Sequence, residues 1–171
     1  WGLVRFGGSS RVALTINAAV SGDRLRIELI HCQAITPDGY IVHISQADGR
    51  PIRATVAASE GEVPVFVSIN PSEKVETGTP DPSEEIPRLP FRAASYTLHA
   101  GKRPDVPAGR LIQIATLIVQ QHEVTVSTSY IPPCVTLFAE ERLHQKAGEL
   151  RNRLATLLST GNRAYQTLGG E

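Results

Sequence analysis

Period-two alternation of apolar and polar residues runs through most of this chain. Val12, Leu14 and Ile16 alternate with Arg11, Ala13, Thr15 and Asn17. A dry face at every second residue predicts a half-buried strand over Arg11–Val20. Ser21-Gly22-Asp23-Arg24 reads as a turn. Leu25, Ile27 and Leu29 then alternate with Arg24, Arg26 and Glu28, so the two segments predict a β-hairpin. Pro37-Asp38-Gly39 is a second turn, because proline presets φ and glycine accepts positive φ. Short strands are expected at Tyr40–Ile44 and Pro51–Val56. The stripe Val63, Val65, Val67 and Ile69 predicts another, with Pro64 tolerated near its start.

The alternation lapses from Asn70 to Pro90. Pro71, Pro80, Pro82, Pro87 and Pro90 punctuate an acid-leaning stretch with little to bury, which predicts a long loop or arm over 70–90. Order resumes at Phe91–His99. Leu111–Val119 is apolar on both faces and predicts a central strand. His122–Tyr130 alternates again. His122-Glu123 lacks the glycine or asparagine that a tight turn favours, so one bent strand and two strands both fit.

The end of the chain has a different period. Leu143, Ala147, Leu150, Leu154 and Leu157 recur in four-three steps, with Glu140, Arg142, Lys146, Glu149, Arg151 and Arg153 on the other faces. This predicts an amphipathic helix with a Glu149–Arg153 pair at i,i+4 worth about 0.3–0.5 kcal/mol. Gly161-Asn162 could end it, or the pattern could resume through Tyr165 and Leu168. A leucine stripe of this kind needs cover, from the sandwich or from a copy of itself, since each buried Leu contributes roughly 1.5–3 kcal/mol, and four-three spacing suits a bundle seam. Those five residues are therefore the candidate oligomerisation set. Many short strands followed by one helix argue for a mainly β fold, an antiparallel β-sandwich over 1–136 with a helical segment over 137–171.

With 171 residues, the chain can bury a core that hides roughly 70% of its unfolded surface. Basic and acidic residues balance at 17 each, so no global field favours nucleic acid or an anionic membrane. The absence of Met, with Trp at position 1, suggests a trimmed fragment. No run is apolar enough for direct membrane insertion, which needs about 20 residues. Cys32 and Cys134 read as two thiols in a reducing compartment or as a single disulfide.

Candidate chemistry is sparse. His31, His43, His99, His122 and His144 lack the spacing of a metal site. His31 and Cys32, adjacent on a strand, point to opposite faces. Gly7-Gly8-Ser9-Ser10 lacks the lysine of a phosphate loop, and there is no nucleophile elbow. Arg88, Arg92, Lys102, Arg103 and Arg110 are diluted by Glu84, Glu85 and Asp105, which reads as a solvated surface rather than a nucleic-acid groove. The sequence therefore points away from an enzyme and requires no cofactor.

Tyr130-Ile131-Pro132-Pro133-Cys134 marks the junction between the β region and the helix. Its two prolines remove two donors and fix two φ angles, which makes a stiff joint. Taken with Trp1-Gly2-Leu3, Ser21-Gly22-Asp23 and Pro37-Asp38-Gly39 in that order, the chain resembles the TssK family of type VI secretion baseplate subunits. The resemblance implies a cytoplasmic structural protein. Its β-sandwich shoulder, like that of phage receptor-binding proteins, would dock onto the TssF/TssG wedge. A helical neck would follow, and the full-length subunit would be a homotrimer. A phage-tail-like or lectin-like sandwich that binds a receptor or carbohydrate is the alternative, disfavoured by an aromatic content of 5%.

Overall fold

A computed structural model describes residues 1–5, 12–45, 51–78, 80, 83 and 91–168. It is an antiparallel β-sandwich followed by one helix. The first sheet contains β1 (Gly2–Leu3), β2 (Leu14–Ser21), β3 (Arg24–Ile35), β4 (Ile41–Ile44) and β5 (Ile52–Ala57). The second contains β6 (Gly61–Thr77), β7 (Phe91–Ala100), β8 (Leu111–Gln120) and β9 (Glu123–Val126), in the order β7-β6-β8-β9.

The long strand β3 organises the first sheet. Its N-terminal half is flanked by β2 and β5, its C-terminal half by β1 and β4. Gln33 gives its N–H to Ala13 and its carbonyl to Val4. Both groups of one strand residue point the same way, so β1 and β2 lie end to end on one side of β3. The expected hairpin closes at Gly22 with φ 63°. A bulge opposite Thr15 and Ile16 lets Leu25, Ile27 and Leu29 and then Cys32 and Ala34 all face inward.

The core lies between the sheets. Leu25, Ile27, Leu29, Val42 and Ile44 meet Val63, Val65, Val67, Ile112, Ile114, Leu117 and Val119. These fall at alternate positions of each strand, with a bulge at Ile114 shifting the phase in β8 before Leu117, and Leu111–Gln120 is buried on both faces over most of its length, as its sequence predicts. The sheets also approach at their margins, β2 beside β9 and β5 beside β7.

Three sequence expectations are resolved or corrected. β8 and β9 are two strands, joined by Gln121-His122 with φ of 49° and 69°. Asn70 does not begin a loop: β6 continues to Thr77, and Lys74–Thr77 pairs with Phe91–Ala94 of β7. Pro71-Ser72-Glu73 leave the ladder as a bulge, where Asn70 Oδ1 accepts the Ser72 N–H at 3.3 Å. That side-chain turn, and a proline placed where no donor is needed, reconcile the composition with a strand. The arm is therefore a two-stranded ribbon at its base; 79, 81–82 and 84–90 lie outside the described residues, as does the Gly7-Gly8-Ser9-Ser10 segment. The helix, α1 (Glu141–Leu168), starts after a 3-10 turn at Leu137–Ala139 and passes through Gly161-Asn162 without a break. No described helix is long and apolar enough to cross a membrane.

Candidate functional site

The segment Tyr130–Cys134 straps one sheet to the other. It leaves β9 where the Ser127 N–H donates to the Thr116 carbonyl at 2.8 Å. The Tyr130 hydroxyl donates to the Gln113 carbonyl of β8 at 3.2 Å, and burial pushes that phenol up to about 12. The strap then reaches the first sheet. The Leu3 N–H donates to the Pro133 carbonyl, and the Val135 N–H donates to the Leu3 carbonyl, each at 2.7 Å. Cys134 pairs with Leu3 in parallel beside β1. Two prolines suit this path because only their carbonyls are needed. Pro132 is buried and Ile131 half-buried.

Trp1-Gly2-Leu3 is the other half of the joint. Gly2 has φ 137°, and a Cβ there would lie 2.5 Å from the Pro133 carbonyl carbon. Only glycine allows the two backbones to approach this closely. The two motifs, distant in sequence, therefore fit against each other.

Pro37-Asp38-Gly39 sits at the same end of the sandwich, since Gly2 pairs with Ile35. The turn is closed by the Gly39 N–H on the Thr36 carbonyl at 2.9 Å and by the Tyr40 N–H on Thr36 Oγ1 at 3.1 Å. It also reaches the opposite sheet. The Asp38 N–H donates to the Gly109 carbonyl at 2.8 Å, and the Asp38 carboxylate occupies the space a Gly109 side chain would take. The third motif is thus a second tie between the sheets.

The root of α1 is clamped to this framework. Arg142 donates to the carbonyls of Thr128 at 2.8 Å and Ser127 at 3.2 Å, and its Nε meets Glu140 at 2.6 Å. Ala139 is buried, and the Phe138 and His144 rings lie 4.8 Å apart. Beyond this first turn the helix leaves the sandwich. Of the five residues of the candidate seam, Leu143 and Ala147 are half-buried near the root. Leu150, Leu154 and Leu157 are 60–68% exposed, and Leu158, Tyr165 and Leu168 extend the exposed face. The expected Glu149–Arg153 pair is not among the ion pairs of the described residues, which are Arg53–Glu28 and Arg142–Glu140.

Groups capable of chemistry are scattered. No cluster of three or more His, Cys, Asp or Glu able to hold a metal occurs among the described residues. Ser68 Oγ and His99 Nε2 are 2.8 Å apart, with Ser68 buried and His99 half-buried. Cys32 faces the core and Cys134 lies in the strap, both as free thiols. Burial pushes Cys32 up to about 12 and also raises Cys134, which Glu140 raises further and Arg142 partly opposes. His31 points away from Cys32, as adjacency on a strand predicts. Its Nε2 is buried without a partner, and burial, then the nearby His43, lower its pKa against a hydrogen bond to the Val12 backbone. A groove of about 450 Å³ between β4 and the β6–β7 ribbon holds His43 beside Ile52, Val75 and Tyr96.

The strap and the helix that follows it are legible in the sequence, whereas the groups that support them are not. Arg142 was read as one of many charges on the helix surface; nothing in its local pattern reveals carbonyls that the fold brings to it. Gly109 carried a weak signal, a glycine just ahead of the most apolar strand. No family model, no curated protein and no solved structure matches this chain.

Proposed function

We propose that this chain is a non-enzymatic structural subunit of a type VI secretion baseplate, a TssK-like shoulder that docks in the cytoplasm onto the TssF/TssG wedge. The observation that carries this reading is the joint itself. The motifs behind the resemblance, Trp1-Gly2-Leu3, Pro37-Asp38-Gly39 and Tyr130-Ile131-Pro132-Pro133-Cys134, gather at one end of the sandwich and are tied to one another or across the sheets. They act there on backbone geometry rather than on a ligand. A rigid body with a helix held at a fixed root suits a part that transmits orientation through an assembly.

The test is co-elution of the chain with the TssF/TssG wedge of the same cell, followed by size-exclusion chromatography with light scattering. A stable complex is expected, and Leu150→Lys on α1 leaves it intact because the shoulder carries the contact. Separate elution of chain and wedge at micromolar concentration ends the reading.

A further inference from the structure

β1 and β2 lie end to end along one side of β3, and the first of them is covered on its far side. There Leu3 bonds the strap through the Pro133 carbonyl and the Val135 N–H, and Cys134 pairs with it in parallel. β2 has no such neighbour. Ala13 gives its carbonyl to Gln33, and Ser21 pairs with Arg24 across the two-residue turn. The main-chain groups of every second residue from Ala13 to Ser21 therefore bond β3, and those of Leu14, Ile16, Ala18 and Val20 point away from it. No strand pairs with β2 on that side, and no hydrogen bond to these outward groups occurs among the described residues.

The other margins are guarded, as the edges of natural sheets usually are. β5 carries Arg53 and β7 carries Arg92, and these two strands lie against each other. β9 carries Glu123 and has four residues. On β4 the Tyr96 hydroxyl donates to the Ile41 carbonyl and accepts the His43 N–H. β2 has eight residues with neither charge nor proline. Its inner face is also thinly covered. Leu14, Ile16, Ala18 and Val20 are half-buried, whereas Leu25, Ile27 and Leu29 beside them on β3 are at most 1% exposed. Along this margin, hollows of about 270 and 460 Å³ meet at Ile16 and Val126, walled by β2, β9 and the root of α1.

A row of open N–H and C=O groups is complemented by another extended backbone. The half-buried inner face of β2 selects one with apolar residues at every second position. A second copy of the chain fits less well. It would bring its own β9 and helix root to the same margin, and β2 against β2 is a two-fold contact that a three-fold subunit cannot repeat around its axis. A lone segment carries no such bulk, and it continues along β2 the line that the strap takes along β1.

We propose that β2 receives an extended segment of a partner protein, apolar at alternate positions, as an added strand. This rests on reading the chain as a subunit of the three-fold assembly that the family resemblance implies, and adds which edge is used and what chemistry selects the partner.

The probe is an eight-residue peptide of alternating valine and threonine, titrated into the isotope-labelled full chain. In the free protein the Ile16 and Ala18 amides are expected to exchange with solvent as open backbone does. The bound peptide slows both about ten-fold or more, and its fully N-methylated counterpart, which has no donors, does not bind. Ala18→Pro removes an outward N–H and leaves every bond to β3 in place, as proline on a strand edge can. It is expected to melt close to the parent protein and to bind the peptide about ten-fold more weakly. Peptide binding that leaves both amides exchanging as before, binding of the N-methylated peptide as tight as that of the parent peptide, or no binding at millimolar peptide overturns the proposal. So does protection of Ile16 and Ala18 in the free chain that rises with protein concentration, which makes a second copy the occupant. Wedge co-elution is measured apart from these, so a failed baseplate assignment and a failed strand partner give different results.

Discussion

Gly2 shows how one residue can hold two distant segments together. Its φ lies where side chains are strained, and the Pro133 carbonyl fills the space a Cβ would need. Gly2→Ala must push the strap away from β1, and a destabilisation of about 1–3 kcal/mol in chemical denaturation is expected. The Gln121-His122 turn shows the converse. Both residues occupy the left-handed region that a two-residue hairpin turn demands and that asparagine and glycine adopt at low cost. The double substitution Gln121→Asn, His122→Gly is expected to stabilise the protein by about 1–2 kcal/mol, measured by the denaturation midpoint. Two histidines set a pH response. Burial lowers both His31 and His99 from the ordinary 6.5, so the unfolded chain takes up protons first as pH falls. Their contribution is complete above pH 6.5 and declines below it. Thermal melts should drop between pH 7.5 and 5.5, and the His31→Gln, His99→Gln double variant should flatten that slope.

At the level of elements, much of the fold was legible and the reasons differ by segment. Strands with one dry face, such as Leu25–Leu29 and Val63–Ile69, announce themselves through alternation, because burial on one side leaves a period of two. The base of the ribbon was hidden because its polar composition is that of a loop; pairing with Phe91–Ala94 supplies the backbone partners that composition cannot report. Gly161-Asn162 left a stop and a continuation both open, and the helix continues, since a glycine costs only about 1 kcal/mol in a helix interior. The helix was readable from its leucine stripe. The clamp at the helix root was not, because Arg142 gains its role from carbonyls of Ser127 and Thr128 placed by the strap. Arg142→Ala is expected to leave the sandwich folded while amide exchange over Glu141–Ala147 rises toward that of an isolated helix, which is marginal in water.

For the whole molecule, the sheets are joined by their core, by the strap, and by the Asp38–Gly109 contact, so the sandwich should unfold as one unit. The thiols offer a probe of this. Cys32 lies wholly inside with its thiol held near 12, and Cys134 is half-covered and also raised. Alkylation at neutral pH should therefore be slow at both in the native protein, with Cys32 modified only at the rate of global opening. Labelling of Cys32 that tracks the denaturation free energy, read by mass spectrometry, would agree with a single cooperative body; fast labelling of Cys32 beside an intact sandwich would contradict it.

The bond pair between Leu3 and the Pro133–Val135 segment also orders events during translation. Leu3 leaves the ribosome well before its strand-side companion, so β1 must wait, unmatched on one flank, until the prolines emerge. Closure of so wide a chain loop is slow by nature. Because the clamp on Arg142 follows within a few codons, the nascent polypeptide reaches a finished sandwich and a correctly aimed helix in nearly the same step, and an arrest before that point leaves it with neither.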